Sequence, residues 1–242
     1  TVATQGIAIG SGASVTGVGG AAVGVNASAS GLYSSAFGGN ANASGDYSTA
    51  IGNNAVASSV SANALGYGAQ ASGEFSNALG TNSVASGIVS TAVGQQAAAT
   101  GDFSTAVGGL SSAAGYEGTA TGFESNASGE YSVAFGLRSN ATDIDSTAFG
   151  KDSNATARGA SAIGPRSTAA GGSSTAVGFH AYTTSTGFSA VALGYYAGAS
   201  NYNASALGSN SYASGQGATA VGALSQATGD LSLAEGYSAI AS

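Results

Sequence analysis

Gly45-Asp46-Tyr47-Ser48-Thr49-Ala50-Ile51-Gly52 returns four units later as Gly101-Asp102-Phe103-Ser104-Thr105-Ala106-Val107-Gly108. Its closing Ala-apolar-Gly signature recurs along all 242 residues. The anchor alanines are residues 8, 22, 36, 50, 64, 78, 92, 106, 120, 134, 148, 162, 176, 192, 206, 220 and 234. Seventeen units thus run at a spacing of fourteen, with one step of sixteen between Ala176 and Ala192. Self-similarity at a short fixed period marks a repeat architecture. One array accounts for residues 1–242, with a two-residue insertion near 179–187 and no domain boundary in the pattern.

The columns of the repeat state what each position demands. Two residues after the anchor, Gly stands in all seventeen units, and five after it the residue is always Ala or Ser. Seven after it stands Ala in fifteen units, with Val15 and Thr183 as exceptions, and two before it stands Ser in nine. Fourteen residues with two Gly-rich columns are too short for a helical hairpin and lack helix formers at helical spacing. They fit two short strands joined by two tight corners, where Gly takes backbone conformations that a Cβ forbids. One strand is predicted near Ser48-Thr49-Ala50-Ile51-Gly52 and the other near Ala55-Val56-Ala57-Ser58. Stacked coils would pair in parallel at roughly 4.8 Å per coil, a rod of about 80 Å for the whole array.

Side-chain alternation assigns the faces. The anchor Ala shares a face with the residue two before it and with the Gly two after it, and the small columns of the second strand face it, so the interior is thin. The residue just after the anchor must then point outward. That column holds Ile9, Val23, Phe37, Ile51, Leu65, Leu79, Val93, Val107, Phe135, Phe149, Ile163, Val177, Leu193, Leu207 and Val221, interrupted only by Thr121 and Glu235. So long an apolar stripe exceeds what soluble monomers expose. At about 2 kcal/mol per buried side chain its gross worth is some 30 kcal/mol, an upper figure. The chain is expected to self-associate along this stripe, in a closed cyclic assembly that avoids open-ended growth.

These units resemble the YadA-like head repeat of bacterial trimeric autotransporter adhesins, over essentially the whole chain. The resemblance implies an all-β fold, a left-handed parallel β-roll (β-solenoid) of 14-residue coils, homotrimeric about its long axis. It also implies a place at the outer surface of a Gram-negative bacterium, on a coiled-coil stalk, with an outer-membrane anchor C-terminal to this sequence. The implied partners are the chain itself, host matrix or cell-surface proteins, other bacteria and abiotic surfaces. The sequence carries no heptads, neck or anchor, as expected of a head excised from a longer chain.

Composition narrows the chemistry. There is no Cys, one His, and 6% charged residues with a formal net charge of −7. Disulfides, thiolate zinc sites and redox motifs are therefore absent. A nucleic-acid partner is not expected, because a polyanionic duplex needs a basic stripe and residues 1–137 and 167–242 hold no Lys or Arg. Catalytic residues, cofactor and metal are each expected to be none: no Gly-x-Ser-x-Gly or completed Gly-x-Gly-x-x-Gly occurs, and no constellation of acid, base or metal ligands is present.

Smaller features supply candidate contact residues. Asn42, Asn126, Asn140, Asn154, Tyr182 and Tyr212 face outward on the second strand. Arg138, Lys151, Arg158 and Arg166, the four basic residues, fall in three consecutive units beside Asp143, Asp145 and Asp152, and read as one ion-pair or receptor patch. His180 and Tyr182 are placed in the inserted loop, a candidate binding protrusion. Four residues before the anchor, Asp46, Glu74, Asp102 and Glu130 alternate with apolar residues, which keeps like charges apart along a corner; a cation ladder is the functional alternative. A purely structural spacer remains open. So does an ice-binding solenoid, although the column before the anchor has Thr in only seven units.

Overall fold

The chain divides into two compact units, Thr1–Glu124 and Ser125–Ser242, and the computed structural model describes residues 5–242. In each unit every coil contributes a three-residue strand and then a two-residue strand, and the described residues form no helix. In the first unit Thr49–Ile51 is followed by Val56–Ala57. The register advances by one repeat: Thr49 pairs with Asn63, Ile51 with Leu65, and Val56 with Gln70, all in parallel. In the second unit Thr147–Phe149 and Asn154–Ala155 pair the same way with Ser161–Ile163 and Thr168–Ala169. The fold is an all-β parallel solenoid, as the spacing predicts.

Both corners are β-turns. In the coil after Gly52, Ala55 N–H donates to the Gly52 carbonyl at 3.3 Å, and Ala62 N–H donates to Ser59 at 3.2 Å. The third residue of each turn is left-handed, with φ of 58° at Asn54 and 53° at Ser61, the pattern of a type II turn. Asn tolerates this region well, and the first corner places Asn26, Asn40, Asn54 and Asn82 in it. The single proline, Pro165, takes the second turn position, where its fixed φ is favoured. Gly is obligatory two residues past the anchor for two reasons at once. Gly80 has a φ of 140°, and a Cβ there would strike the carbonyl oxygen of Gly94 in the next coil.

The interior is made of Ala and Ser. Ala78, Ala85, Ala92 and Ala99 are fully buried in the first unit, as are Ala192, Ala199, Ala206 and Ala213 in the second. The two exceptional residues of the Ala column are each accommodated. Val15 is fully buried, and its Cγ1 fills the space that a Cβ on Gly20 would need. Thr183 is buried with its hydroxyl satisfied: Ser174 Oγ lies 2.7 Å away and Ala170 N–H donates to it at 3.2 Å.

The insertion falls within the span 179–187 that the repeat assigns to it, but His180 and Tyr182 are not part of the inserted loop. His180 holds the ordinary third turn position, with φ of 54°, and Tyr182 starts a regular strand, Tyr182–Thr183. The extra residues fall at the following corner, around residues 184–187. There Thr184 and Thr186 hydroxyls both donate to the Ser200 carbonyl at 2.7 Å, pinning the wider loop to the next coil. The pattern misled because the lost register becomes visible only after Tyr182.

Candidate functional site

Three surfaces carry side chains beyond what the coil needs. The first is the outward apolar file. In the first unit Ile51, Leu65, Leu79 and Val93 stack in register on consecutive strands. In the second, Phe135 and Phe149 stack face to face at 5.0 Å. Side chains in this column point away from the Ala interior: Phe149 is 51% exposed and Leu79 38%. The coil therefore already covers more than half of Leu79. Association would bury only the remainder, about 1 kcal/mol per side chain rather than the 2 estimated from sequence. The column before the anchor shares this face, and its one run of Thr on consecutive strands, Thr91, Thr105 and Thr119, stacks in register beside the aliphatic file.

The second surface is the outer face of the short strands. Asn126 Nδ2 donates to Asn140 Oδ1 at 2.7 Å, and Asn140 to Asn154 at 2.8 Å. These three amides form a ladder and spend much of their hydrogen-bonding capacity on each other. Asn42 is half-buried in the equivalent place. Tyr182 and Tyr212 flank Gly198, whose Cβ would collide with the Tyr182 ring. The Tyr182 ring thus lies over a bare stretch of backbone, an arrangement that rescues a glycine in a strand. Burial, with a smaller contribution from Tyr212, raises the Tyr182 phenol above its ordinary pKa. Ser200 Oγ donates to Tyr212 Oη at 3.2 Å.

The corners are the third surface, and they separate residues that the sequence grouped together. Arg138, Lys151 and Arg166 lie on the corner that follows the long strand, whereas Arg158 lies on the corner that precedes it. Arg138 Nε bonds Asp152 Oδ1 at 2.8 Å, and Lys151 reaches the same carboxylate only at 4.0 Å. Arg166 Nη1 lies 3.4 Å from His180 Nε2. His180 stacks on Tyr196 at 4.7 Å, and Phe179 stacks on Tyr195 at 5.5 Å. This ring cluster escaped the sequence reading, yet its signal was present: the third and fourth residues after consecutive anchors, aligned across the insertion.

On the opposite corner the aspartates of the acidic column perform a local task. Asp46 Oδ1 accepts from Leu32 N–H at 2.8 Å, Asp102 from Ile88 N–H at 2.9 Å, and Asp230 from Gln216 N–H at 2.8 Å. Each caps a backbone donor of the preceding coil, which satisfies an obligatory group. Among the described residues no three His, Asp or Glu side chains cluster so as to hold a metal ion, and no cavity is found.

Comparison with known proteins supplies the class. The family described as "YadA head domain repeat (2 copies)" matches residues 29–55, 57–83, 85–111, 113–139, 127–153, 155–181, 185–211 and 213–241. The chain belongs to this family of adhesin head repeats. Among solved structures, one similar to it is the "collagen-binding domain of Yersinia adhesin YadA", at 23% identity. That match covers 73% of this chain and 70% of that one, with a TM-score of 0.30. No curated protein matches the chain.

Proposed function

We propose that this chain is the head of a bacterial cell-surface adhesin that works as a homotrimer and performs no catalysis. It attaches the cell to host extracellular matrix or cells, to other bacteria, or to abiotic surfaces. A segment outside this sequence would anchor it in the outer membrane. The observation that carries the reading is the outward apolar file. A coil whose interior is Ala and Ser keeps its bulky aliphatics on one external face, which calls for further copies of the same face. Three copies closing around that face leave the short-strand sheet and parts of the corners facing solvent. Adhesion then follows from repetition, because many weak contacts sum when each coil and each copy presents the same surface.

Light scattering on the purified chain should give three times 22.5 kDa; a monodisperse monomer would overturn the assembly. Binding of that species to immobilised collagen, fibronectin, laminin, epithelial cells and bare polystyrene tests the attachment. Collagen heads the panel because the YadA domain named above is described as collagen-binding. Retention on none of these surfaces would leave a spacer that only projects other domains.

A further inference from the structure

The corner that follows the long strand changes character along the chain, from runs of Asn to one run of charged and aromatic residues that ends at Asn210. In the first unit its left-handed positions hold Asn26, Asn40 and Asn54, with Asn26 donating to Asn40 and Asn40 to Asn54, each at 3.3 Å. Neutral Asn satisfies the turn and solvates the corner, and nothing more is needed there. In the second unit the same positions run Arg138, Asp152, Arg166, His180 and Tyr196, one per coil. Lys151, Phe179 and Tyr195 stand beside them, one residue earlier in their turns.

Two properties coincide in this strip. Its cations are under-neutralised: Arg138 and Lys151 share one carboxylate, Asp152, with side chains each 53% exposed, and Arg166 faces His180 at 3.4 Å. Two coils beyond Arg166, stacked on Phe179 and His180, lie large rings that the coil does not bury, Tyr195 at 52% and Tyr196 at 42% exposure. Exposed Tyr beside Arg is the composition of a recognition surface. At physiological ionic strength charges more than about 8 Å away are largely screened. A bound anion therefore responds to the local cations rather than to the net charge.

The backbone decides what kind of anionic partner fits. Arg166 N–H donates to the Lys151 carbonyl at 2.8 Å, His180 to Pro165 at 3.2 Å and Tyr196 to Phe179 at 2.9 Å. These corner groups are already paired from coil to coil, so the strip offers no free edge for an acidic peptide to extend as a strand. There is also no cavity among the described residues to seat an anchoring side chain. What remains is a linear file of cations and open ring faces. A polymer of acidic sugar rings presents, on one unit, a flat C–H face for the aromatic rings and a sulfate or carboxylate for the guanidinium.

We propose that this strip, Arg138, Lys151, Arg166, His180, Tyr195 and Tyr196, is a binding site for an acidic polysaccharide. The proposal rests on the adhesin reading above and names both the ligand class and the place. Heparin and hyaluronan serve as sulfated and carboxylated probes, with neutral dextran and poly-L-glutamate as controls. The unmodified chain should bind heparin, hyaluronan or both, more weakly as salt rises, and neither control. The variant Arg166→Asn/His180→Asn/Tyr196→Asn replaces three members of the file by the residue that the first unit uses, so the turns are kept. Its affinity should fall at least about tenfold, with mass unchanged and a cooperative melting transition lowered only by the lost His180–Tyr196 stack. Lys151→Gln, whose partner Asp152 is only at the edge of contact, gives a second variant outside the left-handed file and should show a smaller loss.

Unchanged polysaccharide binding in both variants overturns the proposal. Equal binding of poly-L-glutamate overturns it in favour of an acidic protein partner, and a change in mass shows that the strip packs between copies, which overturns it as well. The two readings fail separately. Loss of polysaccharide binding with collagen or polystyrene attachment intact touches only this site, whereas attachment to nothing removes the adhesin reading itself.

Discussion

Replacing Leu79 and Val93 together by Asp tests the assembly at its centre. The two side chains are adjacent in the outward file, paired in register across neighbouring strands, and neither contributes to the Ala interior. In a lone coil the cost is limited to the packing within the file, about 1 to 2 kcal/mol per residue, because each new carboxylate points to water. In a closed assembly the cost is large. The lost aliphatic contact is about 1 kcal/mol per residue, since Leu79 alone is 38% exposed. Each carboxylate enclosed without a partner then adds several kcal/mol. Against this, the fifteen apolar residues of the file contribute about 15 kcal/mol per chain at the same rate. The double substitution thus removes much of that drive, and the remainder must still meet the entropy cost of association. Size-exclusion chromatography with light scattering should show monomer or aggregate in place of the trimer. Gln70→Asp, on the exposed outer face of a short strand, should leave mass and melting temperature unchanged. Full trimer in the Leu79→Asp/Val93→Asp variant, with melting temperature within about 2 °C of the parent, would refute the assignment of this file as the inward seam.

Three further outcomes follow from the coil geometry. Gly80→Ala combines a left-handed φ of 140° with a collision on the Gly94 carbonyl; strain and overpacking together should cost about 3 kcal/mol or more, read as a lower urea midpoint. Val89 is β-branched at φ of 56°, so Val89→Asn should raise stability by about 1 kcal/mol if this corner meets water; a loss instead would show that Val89 packs against a neighbouring copy. Tyr182 is held neutral by burial and by Tyr212, so its folded pKa lies above the unfolded one. The stability it contributes is complete below about pH 10 and lost as pH rises through the raised value; melting curves above pH 10 should fall more steeply for the parent than for Tyr182→Phe.

How far the sequence could be read depended on how strictly each column is constrained. The Gly and Ala columns face inward, where a single extra methyl meets the next coil, so they barely vary and the period declares itself. The outward apolar column is legible for a related reason: alternation along a three-residue strand leaves no other face for Ile51 or Leu79 once Ala50 and Ala78 are inside. The corners are where the reading thinned. Their left-handed positions accept Asn54, Tyr47, Val89 and Arg138 alike, with φ between 52° and 59°, so residue type does not announce the turn. The carboxylate caps were hidden for the same reason. Asp102 bonds a backbone group one coil away, a contact that exists only after the coils are stacked in register.

That freedom at the corners explains why the part of the molecule least useful for deducing the fold is the part best placed to differ in function. The interior fixes the rise per coil and the in-register stacking, and a corner side chain touches its counterparts above and below. A run of substitutions at one corner position therefore builds a continuous file without disturbing the core. Asn26, Asn40 and Asn54 build a short Asn file this way in the first unit, and Arg138, Asp152, Arg166, His180 and Tyr196 build another in the second. The insertion at residues 184–187 sits on the opposite corner, fastened through Thr184 and Thr186 to Ser200, and leaves the second file in register across it: Tyr196 N–H still bonds the Phe179 carbonyl at 2.9 Å. A loop that widens one edge while the other keeps its stacking can be tolerated in a solenoid because each coil is held mainly by its immediate neighbours. The corner files can accordingly change chemistry one coil at a time, on a scaffold whose Ala interior stays the same.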